Sequence, residues 1–121
     1  MFKALRADSI TLYLINEKNL MSDHMTHIFD CTPEGRKALA AALHPADYTV
    51  RAHIVSKEHN AKYYELIQLF QGITNIGALL NTSFNLHGYP IVCFPDQAVH
   101  VFEDSELDGI ILEDVLVLRE T

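Results

Sequence analysis

The feature that most constrains the fold is the stretch 77–83, GALLNTS, in which an apolar run ends abruptly in polar residues. Ala78, Leu79 and Leu80 follow one another without interruption, which is typical of a strand covered on both faces. Such a strand needs a sheet around it and helices packed against that sheet. We therefore predict an α/β or α+β fold, a mixed β-sheet flanked by about three helices.

The other segments supply the elements that this fold requires. Helix starts are indicated by Thr32-Pro33, by Asn60 and by Pro95, with the first helix ending near His44. In the second helix, four residues form a stripe that we predict to face the core: Tyr63, Leu66, Ile67 and Phe70. Alternation and β-branched residues predict six further strands, at residues 9–15, 24–30, 49–55, 91–93, 109–112 and 115–118.

Composition limits the size of the protein and its partners. A chain of 121 residues that is 49% hydrophobic can bury one sizeable core, so we predict a single domain over residues 1–121. The net charge of −7 and the dispersed Lys and Arg residues argue against nucleic acid as a partner. We expect no signal peptide, no membrane span and a cytoplasmic location. Cys31 and Cys93 are predicted to be buried small apolar residues.

The polar cluster Asn81-Thr82-Ser83-Phe84-Asn85 is the first candidate site, because ligands settle where strands of an open sheet end. Its two hydroxyls and two carboxamides can donate to phosphate oxygens or to a ribose, and Gly88 lets the backbone approach closely. The same residue types also stabilise ordinary turns. From the residues alone, a nucleotide or anion site and a turn-stabilising cluster both remain open.

Arg51 is the best candidate counter-charge for such a site, since the 49–55 strand places it and His53 on the polar face. The alternative is a surface arginine paired with a nearby acid. Ser83 lacks the GxSxG setting of a hydrolase nucleophile. The seven histidines show no metal-ligand spacing, so we predict no bound metal on this chain.

The stretch LLNTSFNLHGYPIVCFPDQAV resembles a signature of the carbamoyltransferase family, which includes nodulation and antibiotic O-carbamoyltransferases. That signature reads LLNTSFN, then a glycine, then EPIVCTPEDAL. Upstream, residues 47–67 are similar to the family's DGTARVQTV and NPRYYELI stretches, and SDHMTHIFDCTPEGR resembles its SPYM segment. Downstream, LDGIILEDVLVL resembles LDALVLGDYLL. The resemblance covers nearly the whole chain from about residue 20.

This resemblance implies a C-terminal, YrdC-like domain that forms carbamoyl-adenylate from carbamoyl phosphate and ATP, with Mg²⁺ accompanying the ATP. It also implies that Ser83 and Asn85 lie at the nucleotide phosphates, within a binding set that includes Asn81 and Thr82. Arg51 matches the arginine of the ARVQTV strand. Arg6 matches the arginine of the family's RPFAP segment. The resemblance assigns no catalytic residue on this chain.

The sequence also departs from the family pattern. His53 stands where the family has Gln, Tyr89 where it has Glu, and Phe94 where it has Thr or Ser. The family's lysine and arginine upstream of RPFAP, and the Kae1-like half that carries the acceptor and a metal, have no counterpart in this sequence. We therefore expect an N-terminally incomplete domain that acts with a separate Kae1-like chain. The alternatives are a non-catalytic nucleotide-binding or protein-interaction remnant and a homodimer that covers exposed sheet or core surface.

Overall fold

A computed structural model of the chain describes residues 2–120. The chain divides into two compact units, with the boundary between Thr82 and Ser83. Within residues 2–120, no helix combines the length and the apolar character needed to cross a bilayer.

The first unit is built on one sheet of five strands, which are β1 Phe2–Arg6, β2 Leu14–Ile15, β3 Ile28–Cys31, β4 Val50–Val55 and β5 Ala78–Asn81. Their order across the sheet is β2-β3-β4-β1-β5. Among these neighbours β1 and β4 are parallel and the other pairs are antiparallel, so the sheet is mixed. The predicted mixed α/β class is thus confirmed.

Two predicted helix starts of this unit are confirmed by their caps. The Thr32 hydroxyl accepts a hydrogen bond from the Gly35 backbone N–H (2.9 Å), and the Asn60 side chain accepts one from the Tyr63 N–H (3.1 Å). At the far end of α3, Asn75 adopts a left-handed conformation that stops the helix. The helices are α1 Ile10–Tyr13, α2 Pro33–Ala38 and α3 Ala61–Thr74, with short 3₁₀ turns at Ala7–Ser9 and Ala40–Ala42.

The sheet of the first unit has a packed cluster on each face. On one face Leu5 and Leu39 lie in the larger cluster with the alternate residues of β4, Val50, Ala52 and Ile54. All five are at most 1% exposed, which confirms the predicted alternation of β4. On the other face, the smaller cluster under α3 consists of Ala4, Val55 and Ile67.

The second unit contains one helix and a hairpin. The helix α4 spans Pro95–Glu103, which confirms the predicted start at Pro95, and the two predicted strands are present as β6 Gly109–Leu112 and β7 Val115–Leu118. These strands pair antiparallel and form the hairpin. The Arg119 guanidinium joins these elements because it donates to the backbone carbonyls of Phe102, Ser105 and Leu107.

Two predicted strands are wrong. Segment 9–15 forms α1 and only the two-residue strand β2, because Tyr13 turns inward and its hydroxyl accepts a hydrogen bond from the Gly77 N–H (2.9 Å). Gly35 is needed beside this turn, since a Cβ there would lie 2.0 Å from the Tyr13 carbonyl oxygen. Segment 91–93 is irregular and leads into α4, with the Gln97 side chain accepting from the Cys93 N–H (2.8 Å).

Burial corrects three further expectations. In the predicted core stripe of α3, Ile67 is fully buried but Leu66 is 53% exposed and Phe70 is 36% exposed, since α3 packs on the sheet through Ile67 with Tyr63 and Tyr64 beside it. The predicted coverage of β5 on both faces holds for Ala78 and Leu79, which pack against the two clusters, but it ends at Leu80, which is 44% exposed. Cys31 is buried as expected, but Cys93 is exposed.

Candidate functional site

Arg51 lies near the start of β4, opposite Ile28 of β3, and its side chain is exposed. It borders a pocket of about 450 Å³ whose other wall is the loop between the 3₁₀ turn and β4, with His44, Asp47 and Thr49. A guanidinium at the rim of a pocket of this size can fork onto two oxygens of a phosphate or carboxylate.

The loop wall of this pocket is held in shape by its own hydrogen bonds. The Thr49 hydroxyl and backbone N–H both donate to Asp47 Oδ1, at 2.8 and 3.0 Å. These bonds, and the nearby His44 imidazole, whose Nδ1 lies 3.3 Å from Asp47 Oδ1, keep the pKa of Asp47 below its usual value. The pocket therefore presents a carboxylate acceptor as well as the cation of Arg51. A guanidinium and a carboxylate together suit a ligand that has both an anionic group and hydroxyl groups.

The sheet register places Asn81 at the same end of the sheet as Arg51. Asn81 pairs with Phe2 of β1, and the next residue of β1, Lys3, pairs with Ala52. Asn81 and Arg51 therefore lie at about the same height along the sheet, with β1 between them, and their Cα atoms are about 10 Å apart. Alternation also puts both on the face opposite to Lys3. Thr82, which is exposed, follows directly.

Arg6 lies at the other end of the same strands. It pairs with Val55, four residues beyond Arg51 along β4, which is a separation of about 13 Å. Its guanidinium donates to the Asp8 carboxylate and to Gln71 Oε1 (2.9 Å), and it stacks 4.8 Å from the centre of the Tyr64 ring. The hydrogen bond between Arg6 and Asp8 is the main cause that raises the pKa of Arg6 and lowers the pKa of Asp8. The structure does not bring Arg6 and Arg51 together.

Ser83 and Asn85 belong to the second unit. The Asn85 side-chain amide donates to the backbone carbonyls of Leu86 (2.9 Å) and Tyr89 (3.0 Å), and Gly88 has the positive φ of 84° that this turn requires. Asn85 thus stabilises its turn, one of the two roles left open by the sequence. Ser83 is exposed at the start of the unit.

Lys3 is a polar residue that sequence reasoning missed. It lies on the central strand β1, pairs with Ala52 and Leu80, and is only 7% exposed. Burial lowers the pKa of its ammonium group. Its position places a cation one residue away from the level of Arg51, but on the opposite face of the sheet. The signal in the sequence is a lysine inside the largely apolar stretch FKALR, for which we predict no strand.

Within residues 2–120, no group of three or more His, Cys, Asp or Glu side chains is arranged to hold a metal ion. His44 and His100 each lie beside an aspartate of their own loop or helix, at 3.3 Å. Three others, His24, His53 and His59, line one small pocket at the carboxyl end of β4.

Comparison with known proteins connects this chain to one family. The family described as Carbamoyltransferase C-terminus matches residues 3–119. The chain is 38% identical to the protein MJ1058 of Methanocaldococcus jannaschii over 104 residues, 86% of this chain and 17% of that protein. It is 36% identical to the nodulation protein NolNO of Sinorhizobium fredii over 88 residues, 73% of this chain and 13% of that protein.

A second nodulation protein, NolO of Bradyrhizobium diazoefficiens, is 34% identical over 86 residues, which are 71% of this chain and 16% of that protein. The aligned region is thus a small fraction of each of these relatives. The similarity concerns one part of much longer proteins.

Proposed function

Because this chain belongs to the carbamoyltransferase C-terminus family, we propose that it binds ATP and carbamoyl phosphate and takes part in forming carbamoyl-adenylate. The balanced reaction consumes carbamoyl phosphate, ATP and water, and it yields carbamoyl-adenylate, pyrophosphate and phosphate. The observation that carries the proposal is the pocket beside Arg51, at the same end of the sheet as Asn81 and Thr82.

In this proposal each side chain has a role set by its chemistry. The Arg51 guanidinium pairs with phosphate oxygens, where a fixed cation stabilises the charge that develops during adenylyl transfer. The Asp47 carboxylate accepts from a ribose hydroxyl, and Asn81 and Thr82 donate to oxygens of the same ligand. That Ser83 and Asn85 contact nucleotide phosphates remains a prediction of the family resemblance. Mg²⁺ enters with the ATP as part of the substrate.

Titration calorimetry with a non-hydrolysable ATP analogue and Mg²⁺ tests the site. We expect saturable binding that weakens about tenfold or more in Arg51→Ala, because a charge-assisted pair with phosphate is lost. Arg51→Lys keeps the positive charge but loses the bidentate geometry of the guanidinium, so its affinity should lie between those of the parent and Arg51→Ala. Lys18→Ala, which removes one exposed positive charge elsewhere, is the matched control. If Arg51→Ala and Lys18→Ala bind the ATP analogue with equal affinity, Arg51 does not contact the nucleotide.

Catalysis is a separate question from binding. We propose that turnover requires a chain with the Kae1-like half, because the family resemblance implies that the acceptor binds to such a half. The purified chain, mixed with carbamoyl phosphate, ATP and Mg²⁺, should release pyrophosphate slowly or not at all, and the rate should rise when such a partner is added. Unchanged release in the presence of a tightly bound partner would contradict this requirement.

The alternative is a non-catalytic interaction module, and one observation favours it. Four large apolar residues of α3 are between 36% and 84% exposed and recur with helical spacing: Leu66, Leu69, Phe70 and Ile73. Light scattering distinguishes a monomer from a homodimer that covers this surface. A dimer that dissociates on Ile73→Asp, without ATP binding by either form, would favour the alternative over the enzymatic proposal.

A further inference from the structure

Three imidazoles meet at a pocket of about 230 Å³ at the carboxyl end of β4. They come from three different places in the chain: His24 precedes β3, His53 lies within β4, and His59 lies in the turn before α3. Because distant segments converge here, no single helix or loop explains the cluster. The pocket lies at the opposite end of β4 from Arg51.

Contacts among the segments that line this pocket hold it in shape. The Ser22 hydroxyl donates to the Ala52 carbonyl (2.8 Å), and the Ile54 N–H donates to the Ser22 carbonyl (3.0 Å), so the segment that carries Asp23 and His24 is tied to β4. Asp23 Oδ2 lies 3.2 Å from His59 Nδ1. That contact orients the His59 ring and leaves its Nε2 as the nitrogen available to a ligand.

We propose that this pocket binds a small tetrahedral oxyanion of the sulfate or phosphate class when its histidines are protonated. Protonated imidazoles donate from both nitrogens and are cationic, which is what an oxyanion requires. The Ser56 hydroxyl lies in the same pocket, and the first turn of the 14-residue helix α3 begins there, so its positive end adds to the attraction.

The charges that face His53 make the site depend on pH. Asp23 and His24 face it from the segment before β3, His59 from the turn, and Tyr63 from α3, with ring centres 5.8 Å apart. Burial is the main cause that lowers the pKa of His53; the charge of His24 lowers it further and that of Asp23 raises it. With all three histidines protonated, the single carboxylate of Asp23 is outnumbered, and the pocket becomes cationic.

This inference does not rest on the proposed carbamoyl function, because it uses none of the residues around Arg51.

Sulfate is the sharper first probe, because it stays a dianion while phosphate changes its own charge near neutral pH. We would follow the ring signals of the seven histidines by NMR during sulfate titration at pH 5.5 and pH 7.5. We expect saturable shifts of His24, His53 and His59 at pH 5.5, with at least tenfold weaker binding at pH 7.5. The pKa of His53 should rise when sulfate is bound.

The variants His53→Asn and His24→Asn should each weaken sulfate binding at pH 5.5 by about fivefold or more. His24 is exposed, so its substitution leaves the core intact and keeps the test valid if His53→Asn unfolds. His100→Asn is the matched control, because His100 also lies beside an aspartate and its side chain is 63% exposed, close to the 59% of His59. This control should bind sulfate as the parent does.

Inorganic phosphate and AMP, titrated at pH 5.5, distinguish a free anion from the phosphate of a nucleotide. Equal affinities indicate the free anion, and tighter binding of AMP through the same three histidines indicates the nucleotide. The proposal is overturned if sulfate shifts all seven histidines equally, or if His24→Asn binds sulfate as tightly as His100→Asn does.

Discussion

Replacement of Ile67 by alanine tests the central packing contact of the first unit. Ile67 is fully buried where α3 crosses the sheet, in the cluster with Ala4 and Val55. The change removes three carbon atoms, and about 0.8 kcal/mol for each buried methylene gives roughly 2.4 kcal/mol. A cavity that collapses only in part adds to this, so the free energy of unfolding should fall by about 2–4 kcal/mol.

Ile73→Ala is the matched control for this experiment. It is the same chemical change in the same helix, but Ile73 is 84% exposed. Alanine improves helix propensity equally at both positions, so this contribution cancels in the comparison. Urea denaturation followed by circular dichroism should show a lower midpoint for Ile67→Ala at an unchanged slope. For Ile73→Ala, the free energy of unfolding should stay within about 0.5 kcal/mol of the parent.

The comparison can refute the assignment of faces to α3. If the two variants lose the same free energy of unfolding, Ile67 does not occupy a dry core, or the outer face of α3 is covered as completely as the inner one. A large loss for Ile73→Ala alone would reverse the two faces. A loss for Ile73→Ala that grows with protein concentration would instead indicate that a second copy covers the outer face.

The remaining predictions concern one helix cap and two titrating groups. Thr32→Ala removes the hydroxyl that caps α2 at Gly35, so urea denaturation should show a loss of about 1–2 kcal/mol, which Thr32→Ser largely restores. The pKa of His53 is lowered in the fold, so stability should fall as pH drops below about 6.5, and His53→Asn should flatten that slope in thermal melts. Arg6 lowers the pKa of Asp8, so this pair stabilises the fold above about pH 4, and stability is lost as pH falls through the folded pKa; Asp8→Asn should remove that acid dependence.

Elements whose signals are local could be predicted from the sequence. The capping residues Thr32 and Asn60 and the prolines Pro33 and Pro95 mark helix starts through hydrogen bonds and backbone angles that span only a few residues. The alternation of β4 is likewise visible along the chain. In each of these cases the deciding interaction lies within one turn or one strand.

Segment 9–15 shows where this kind of reasoning fails. Its alternation is as regular as that of β4, yet Tyr13 lies in a helical turn because its hydroxyl accepts from Gly77, 64 residues away. The Thr32 hydroxyl also donates to the carbonyl of Leu12 (2.6 Å), which holds the same turn from another element. Strand propensities differ between residue types by only about 1 kcal/mol at a single position and depend on context. Two such tertiary bonds and the burial of a tyrosine therefore outweigh them in this segment.

The candidate site depends on strand register, which the sequence does not display. Arg51 and Asn81 are 30 positions apart, and they come level only because β1 pairs in parallel with β4 and antiparallel with β5. A shift of one residue in either pairing would turn one of the two side chains to the other face of the sheet. Arg6 is an example of a residue that the sequence predicts in the site through its family match. In the structure it lies at the other end of the strands, where its guanidinium binds Asp8 and Gln71.

The two ends of β4 therefore offer two separate sites, and this separation follows from the strand itself. Arg51 and His53 lie on the same face by alternation, but they line different pockets: the loop 44–49 encloses one, and the segment 22–25 with the turn before α3 encloses the other. The two residues are only about 7 Å apart along the strand, so their independence rests on the separate segments that enclose the two pockets. Arg51→Ala should leave sulfate affinity at pH 5.5 unchanged, and His53→Asn should leave the affinity for the ATP analogue unchanged. If either substitution weakens binding of both ligands, the pockets form one continuous site, and the histidines belong to the nucleotide site.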